Sequence, residues 1–281
     1  MTFTVFAAVI AAAAMHAGWN AVLKVRLDPF LSMALITGAA GIAALPLLVV
    51  FGFPRAEAWP WLSASLVLHL AYYAALTEAY RRADMSQIYP IARGGAPLLT
   101  ATASVTLLHE PVGAVALAGI GVLGAGVILM SLKGRRRGAA FDPVAIDFAA
   151  LTAVVICGYT LVDGIGARAA GDPHAYSAAL FVIDGVPLPL LALWRRGVAG
   201  VKPALAVLGP GFAGGIMSLG AYWIAIWAMT VAPIALVAAL RETSVLFAAL
   251  IAVVVLKEPL APARVAAGAL ILCGLALIRL Q

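Results

Sequence analysis

Leu256-Lys257-Glu258-Pro259, followed by the apolar run from Val265 to Gly274, restates an earlier stretch, Leu108-His109-Glu110-Pro111, followed by Ala116 to Gly126. The copies keep one register over several landmarks: 258 − 110, 259 − 111 and 241 − 93 all equal 148, the last pair being two arginines inside apolar segments, Arg93 and Arg241. The chain therefore reads as two versions of one unit, 1–132 and 147–281. The connector between them, 133–146, carries Lys133 and Arg135 to Arg137.

Composition sets the class. The chain is 64% apolar and 11% charged, with a mean hydropathy of +1.08, far from the roughly half-apolar, quarter-charged make-up of a soluble domain. A spanning helix with its connector takes about 28 residues, so 281 residues hold about ten passes and no sizeable soluble domain. Charged or Pro/Gly-rich breaks place the spans near 2–23, 30–53, 59–80, 85–108, 112–132, 147–168, 174–193, 204–229, 233–256 and 262–280. No Lys or Arg precedes the first of these, so it lacks the positive start of a signal peptide and reads as a retained helix. Cys157 and Cys273 lie in apolar segments of different halves, which predicts no disulfide and no metal site.

Loop charge predicts orientation. The face reached after the first span collects thirteen Lys and Arg residues, among them Lys24, Arg81, Arg82, Arg195, Lys202 and Lys257, against Arg55, Arg168 and Arg279 on the other. The positive-inside rule puts the basic face in the cytoplasm and both termini in the periplasm of a bacterial-type inner membrane. Basic loops beside anionic lipid account for the net charge of +6 without nucleic acid. Five spans per unit is odd, so the second unit enters the membrane from the opposite side. The fold class predicted is an all-α integral membrane protein, ten transmembrane helices in two inverted five-helix repeats around a central cavity, as in many secondary transporters. Gly18-Trp19-Asn20 against Gly158-Tyr159-Thr160, and Asp28-Pro29 against Asp172-Pro173, extend the alignment.

The two five-span units, the Trp19-Asn20 pair on the first helix, and a Glu closing the fourth helix of each unit before a Gly-rich fifth resemble the drug/metabolite transporter superfamily, EamA-like branch. The first helix here reads His16-Ala17-Gly18-Trp19-Asn20, where that family often has Trp-Gly-x-Asn, so the subfamily stays open. The resemblance implies export of small metabolites by alternating access, with an aromatic or broad amino-acid exporter expected and a multidrug or other metabolite exporter as the alternative. It implies a small-molecule substrate and the lipid bilayer as partners, and no cofactor. The oligomeric state stays open, a monomer included.

His16, Trp19 and Asn20 stand at i, i+3 and i+4 and so share a helix face, which polarity turns inward. Helix-to-helix hydrogen bonding is an equal reading for Asn20. His69, Tyr72 and Tyr73 stripe the third span, Tyr159 and Thr160 mark the sixth, and Trp223 and Trp227 stand at i and i+4 on the eighth. Together they suit an amphipathic pocket, though packing explains each singly. Tyr80, beside Arg81 and Arg82, suits an interfacial belt.

Arg93, sharing a face with Tyr89, and Arg241 each lie about 12 Å into their helices, deep enough to need a partner or water. One of them meets a substrate carboxylate, or both are structural, with Glu78 within reach of Arg93 and Asp163 level with Arg241. Asp184 and Glu242, with His16 and His69, are candidates for proton or ion coupling. Glu110 and Glu258, each before a Pro, read as helix-start devices. The Gly-rich faces at Gly119 to Gly126, and Gly211 with Gly215, read as close packing. The sequence has no Walker lysine for a nucleotide-driven pump and no HExxH pair or GxSxG elbow for a membrane-embedded enzyme, while a channel, where inverted repeats also occur, stays open as the other outside class.

Overall fold

The computed structural model describes residues 1–22, 28–82, 85–132, 142–254, 257 and 262–280, apart from the side chains of residues 21, 22, 80, 85–87, 89, 90, 131 and 132. Among these it forms twelve α-helices and no strand. The helices are α1 (Phe3–Val22), α2 (Pro29–Phe51), α3 (Trp59–Arg82), α4 (Met85–Thr106), α5 (Ala114–Leu132), α6 (Pro143–Ala169), α7 (Pro173–Asp184), α8 (Pro187–Val201), α9 (Leu208–Val231), α10 (Ile234–Arg241), α11 (Ser244–Val254) and α12 (Pro262–Arg279), with short 3₁₀ turns at Ala56–Ala58 and Lys202–Val207. Six helical stretches are long and apolar enough to cross a bilayer: Phe3–Asn20, Pro29–Phe51, Pro143–Ala169, Pro173–Val231, Ile234–Val254 and Pro262–Arg279. The chain is a multi-pass membrane protein. The α3 and α4 helices are not among the six, because they carry His69, Tyr72, Tyr73 and Arg93 into the protein interior.

Three helices start on Asp-Pro. Asp28, Asp142 and Asp172 accept the backbone N–H groups of Leu31, Val144 and His174, while the following proline fills a first-turn position where an N–H would have no helical partner. Asp142 thereby starts the sixth span at residue 143, four residues before the sequence expectation of 147.

Two of the helix pairs that join the halves are antiparallel and repeat each other. An added Cβ on Gly119 would meet Gly274 and Leu277, and one on Gly126 would meet Ala267 and Ile271, so α5 and α12 run in opposite directions. In the 148 register, 126 + 148 = 274 and 119 + 148 = 267, so the contact of Gly119 with Gly274 and that of Gly126 with Ala267 exchange on swapping the copies. The α2 and α7 helices repeat this. Gly41 faces Gly185, 144 residues on, as Asp172 lies 144 from Asp28. A Cβ on Gly41 would stand 3.1 Å from the Phe181 carbonyl, and one on Gly185 would stand 3.1 Å from the Thr37 carbonyl. Gly211 and Gly215 admit Leu35 and Ala39 of α2, as close packing predicts, whereas a Cβ on Gly121 would meet nothing.

The structure corrects two spans. The sequence predicts continuous helices over 174–193 and 233–256, and both are broken. The α7 helix stops at Asp184, where Gly185 and Val186 lead into Pro187, whose ring nitrogen carries no hydrogen to continue the ladder. The second break has no proline. Glu242, Thr243, Val245 and Leu246 each bond the carbonyl three residues back, and Thr243 adds its hydroxyl to the Leu240 carbonyl, tightening the chain out of α-helical register between α10 and α11.

Glu110 is also corrected. It does not start its own helix, which begins four residues later at Ala114. Its buried carboxylate accepts from the Ser104 hydroxyl, from Arg168 at the end of α6, and from the Ile234 N–H at 2.7 Å, so it caps α10 in the other half of the chain. Arg168 also donates to the Met229 carbonyl of its own half at 2.9 Å, so the ties across the halves are those made to Glu110. The residue before it, His109, has a φ of 53°, matched by Lys257 at 58°, and 257 − 109 is again 148. Glu258 and Pro259 lie outside the described residues, as does 133–141 of the connector.

Candidate functional site

The helices line a partly open cavity of about 100 Å³. His16 and Trp19 reach it from α1, Thr37 and Ala40 from α2, His69, Tyr72 and Tyr73 from α3, and Arg93 from α4. Tyr159 enters from α6, Phe181 and Asp184 from α7, Ser218 and Tyr222 from α9, and Arg241 from α10. The α5 and α12 helices contribute nothing to this wall, since their apolar faces are used against each other.

An aromatic surface runs through the site. Tyr159 lies 4.6 Å from the His69 ring, 6.0 Å from Tyr72 and 6.2 Å from Tyr222, mostly edge to face. Tyr222 donates its hydroxyl to Asp163, which also accepts from Tyr176 at 2.9 Å. The ring of Tyr222 carries the Arg241 guanidinium 4.7 Å from its centre, a cation over a π face.

The charges sort into two groups. Arg93 is 3.2 Å from Glu242 and 3.3 Å from His16 Nε2, while His16 Nδ1 accepts from Trp19 at 3.3 Å. This is a neutralised cluster. At the broken end of α7, Asp184 Oδ1 stands 3.8 Å from His69 Nδ1, beyond hydrogen-bond reach. Both atoms are buried and without a hydrogen-bond partner.

Of the residues expected at a site, His16, Trp19, His69, Tyr72, Tyr73, Arg93, Tyr159, Arg241 and Asp184 line this cavity. Glu242 and Thr160 line a smaller one beside Arg93, with the Thr160 hydroxyl bonded to the Ile156 carbonyl at 2.7 Å. Asn20 donates back to the His16 carbonyl at 2.8 Å and is not on the wall. Trp223 donates to His174 at 2.8 Å beside Phe51, away from the cavity, and Trp227 packs into the main core. The Tyr89 side chain lies outside the described residues.

The expected charge pairs are replaced as well. Glu78 binds Arg81 and Arg82 on its own helix at 2.9 and 2.7 Å, leaving Arg93 to Glu242. Asp163 is held by tyrosine hydroxyls, and Arg241 is held by a ring. Sequence reasoning missed Tyr222, although Ser218 and Tyr222 at i and i+4 form their own stripe, rotated about 100° from that of Trp223 and Trp227.

Two stretches of the sequence, residues 2–132 and 144–280, match the EamA-like transporter family. No curated protein matches the sequence. A solved structure described only as the crystal structure of a protein superposes over 99% of this chain and 96% of its own, with a TM-score of 0.77 at 22% identity, a likeness of fold alone.

Proposed function

Since the chain belongs to the EamA-like transporter family, we propose that it exports small metabolites, foremost aromatic and other apolar amino acids, by alternating access. In this reading the units 1–132 and 147–281, joined by the basic connector, form ten passes as two inverted repeats, with α7–α8 and α10–α11 each counting as one interrupted pass. The antiparallel pairs α5 with α12 and α2 with α7, each keeping its register on exchange of the copies, support inversion. The observation that carries the function is the cavity itself. Helices of both units line it, its walls are aromatic with a few polar groups, and two of its helices break at its charged residues. Broken helices at a site between repeats are the arrangement by which secondary transporters hold cargo.

The test is counterflow of labelled amino acids by the purified full-length protein in liposomes, with and without a pH gradient. Saturable exchange is expected. Trp19→Ala, Tyr72→Ala and Tyr159→Ala should each lower it at least about tenfold while leaving the protein inserted, as the loss of a packed aromatic contact implies. Unchanged rates in all three would remove the cavity from the transport path. For orientation, Arg136→Cys should react with an impermeant thiol reagent only from the cytoplasm and Gln281→Cys from the periplasm. The reverse labelling would overturn the topology.

A further inference from the structure

We infer that the cavity recognises a zwitterion, with Arg241 taking the carboxylate and the gap between Asp184 and His69 taking the ammonium. The cargo class is then the free α-amino acid, not an amine, a simple acid or a neutral compound. The inference rests on the transporter reading and narrows it.

The two arginines on the cavity wall differ in what they have left to give. Arg93 is committed to Glu242 at 3.2 Å and to His16. Arg241 has no carboxylate within ion-pairing distance among the described residues, and its guanidinium faces the cavity from over Tyr222. The nearby acid, Glu242, is already held by Arg93. A guanidinium offers paired N–H donors that fit a carboxylate, and the Tyr222 ring beneath fixes its plane without using those donors.

The opposite requirement appears at Asp184. Its Oδ1 and the His69 Nδ1 are buried without hydrogen-bond partners, 3.8 Å apart, and the imidazole tautomer with its hydrogen on Nε2 presents Nδ1 as an acceptor. Burial without a partner is costly, and a group carrying only donors relieves both atoms at once. An ammonium has three donors and no acceptor. Asp184 is also the last residue of α7, at the negative end of that helix's dipole. Tyr73 lines the same cavity as this carboxylate. Tyr72, Tyr159 and Phe181 then form the wall against which an apolar side chain lies.

The experiment uses four probes with one ring: L-phenylalanine, phenethylamine, 3-phenylpropionate and the neutral 2-phenylethanol. Each is measured as a competitor and as a counterflow substrate of the full-length protein in liposomes. Wild type should bind phenylalanine at least about tenfold more tightly than any single-charge probe, the effect of one charge-assisted contact. Arg241→Gln should weaken phenylalanine and 3-phenylpropionate and leave phenethylamine unchanged. Asp184→Asn should weaken phenylalanine and phenethylamine and leave 3-phenylpropionate unchanged. Saturable exchange of single-charge or neutral probes with no preference for phenylalanine would overturn the zwitterion site and leave the transporter standing. Absence of exchange with all four and with a wider metabolite panel would remove the transporter reading. If a variant fails to fold, the wild-type ranking of the four probes decides alone.

Discussion

Arg93 and Arg241 occupy matching places in the two copies of the unit, 148 residues apart, but their neighbours differ. Arg93 lies inside a continuous helix and is bound by Glu242 across the cavity wall. Arg241 ends a helix that breaks directly after it, and its own neighbour Glu242 is turned to Arg93. The second copy therefore supplies the counter-ion for the first copy's arginine and leaves its own with a tyrosine ring. Duplication provided two equivalent cations, and the helix break made them unequal: one is bound to Glu242 while the other lines the cavity over a tyrosine ring. The basic residues nearer the ends repeat the contrast, Arg168 on the buried Glu110 and Arg196 on the exposed Asp28.

Removing Arg93 is the strongest test of that inequality. Arg93→Ala should destabilise the protein by about 3–5 kcal/mol, because Glu242 is left as a buried, uncompensated charge, whereas Arg93→Met with Glu242→Leu should recover most of the loss. Equal melting of single and double variants in detergent would show that the pair is not the cause. Glu110→Ala should rank next, at about 3 kcal/mol, since the Ile234 N–H loses its acceptor and the Arg168 guanidinium its carboxylate, keeping only backbone carbonyls. Glu110→Gln should retain part of this, again read from melting.

Arg241→Ala is expected to cost only about 1 kcal/mol, the worth of one cation over a ring, while abolishing amino-acid counterflow. A loss of stability as large as that of Arg93→Ala would erase the distinction between the two arginines. The smallest effect belongs to Asp28→Asn. The hydrogen bond from Arg196 holds the Asp28 carboxyl below its ordinary range. Its stabilisation is therefore present above the unfolded carboxyl value near pH 4 and is lost as pH falls through the lower folded value. Solvent screening of this exposed pair keeps the loss under about 1 kcal/mol. Melting profiles of wild type and variant should be nearly parallel above pH 5 and converge below pH 4.

The doubled Glu-Pro stretch made duplication legible because a shared register is a property of sequence alone. The membrane class followed from composition and the helix starts from Asp-Pro. Membership of the aromatic wall was legible where a stripe had one polar face, as at His69 and Tyr72. It failed on α9, where Tyr222 and Trp223 are adjacent and only rotation about the helix axis decides which ring faces in. The break after Arg241 was illegible because it contains no proline or glycine and depends on short-range bonds among residues 239–246. Pairings such as Arg93 with Glu242 join distant segments, and no local pattern reports them.

Gly41 and Gly185 touch backbone to backbone, and their contact maps onto itself when the copies are exchanged. In an ancestor built from two identical chains, that position would have faced its own image, so one gene change would have placed two methyl groups in a gap that holds none. After fusion the same site can mutate on one side at a time. Even a single methyl group would stand 2.7 to 3.0 Å from the opposite backbone, so this point of the seam holds both halves to glycine while the residues around it diverge.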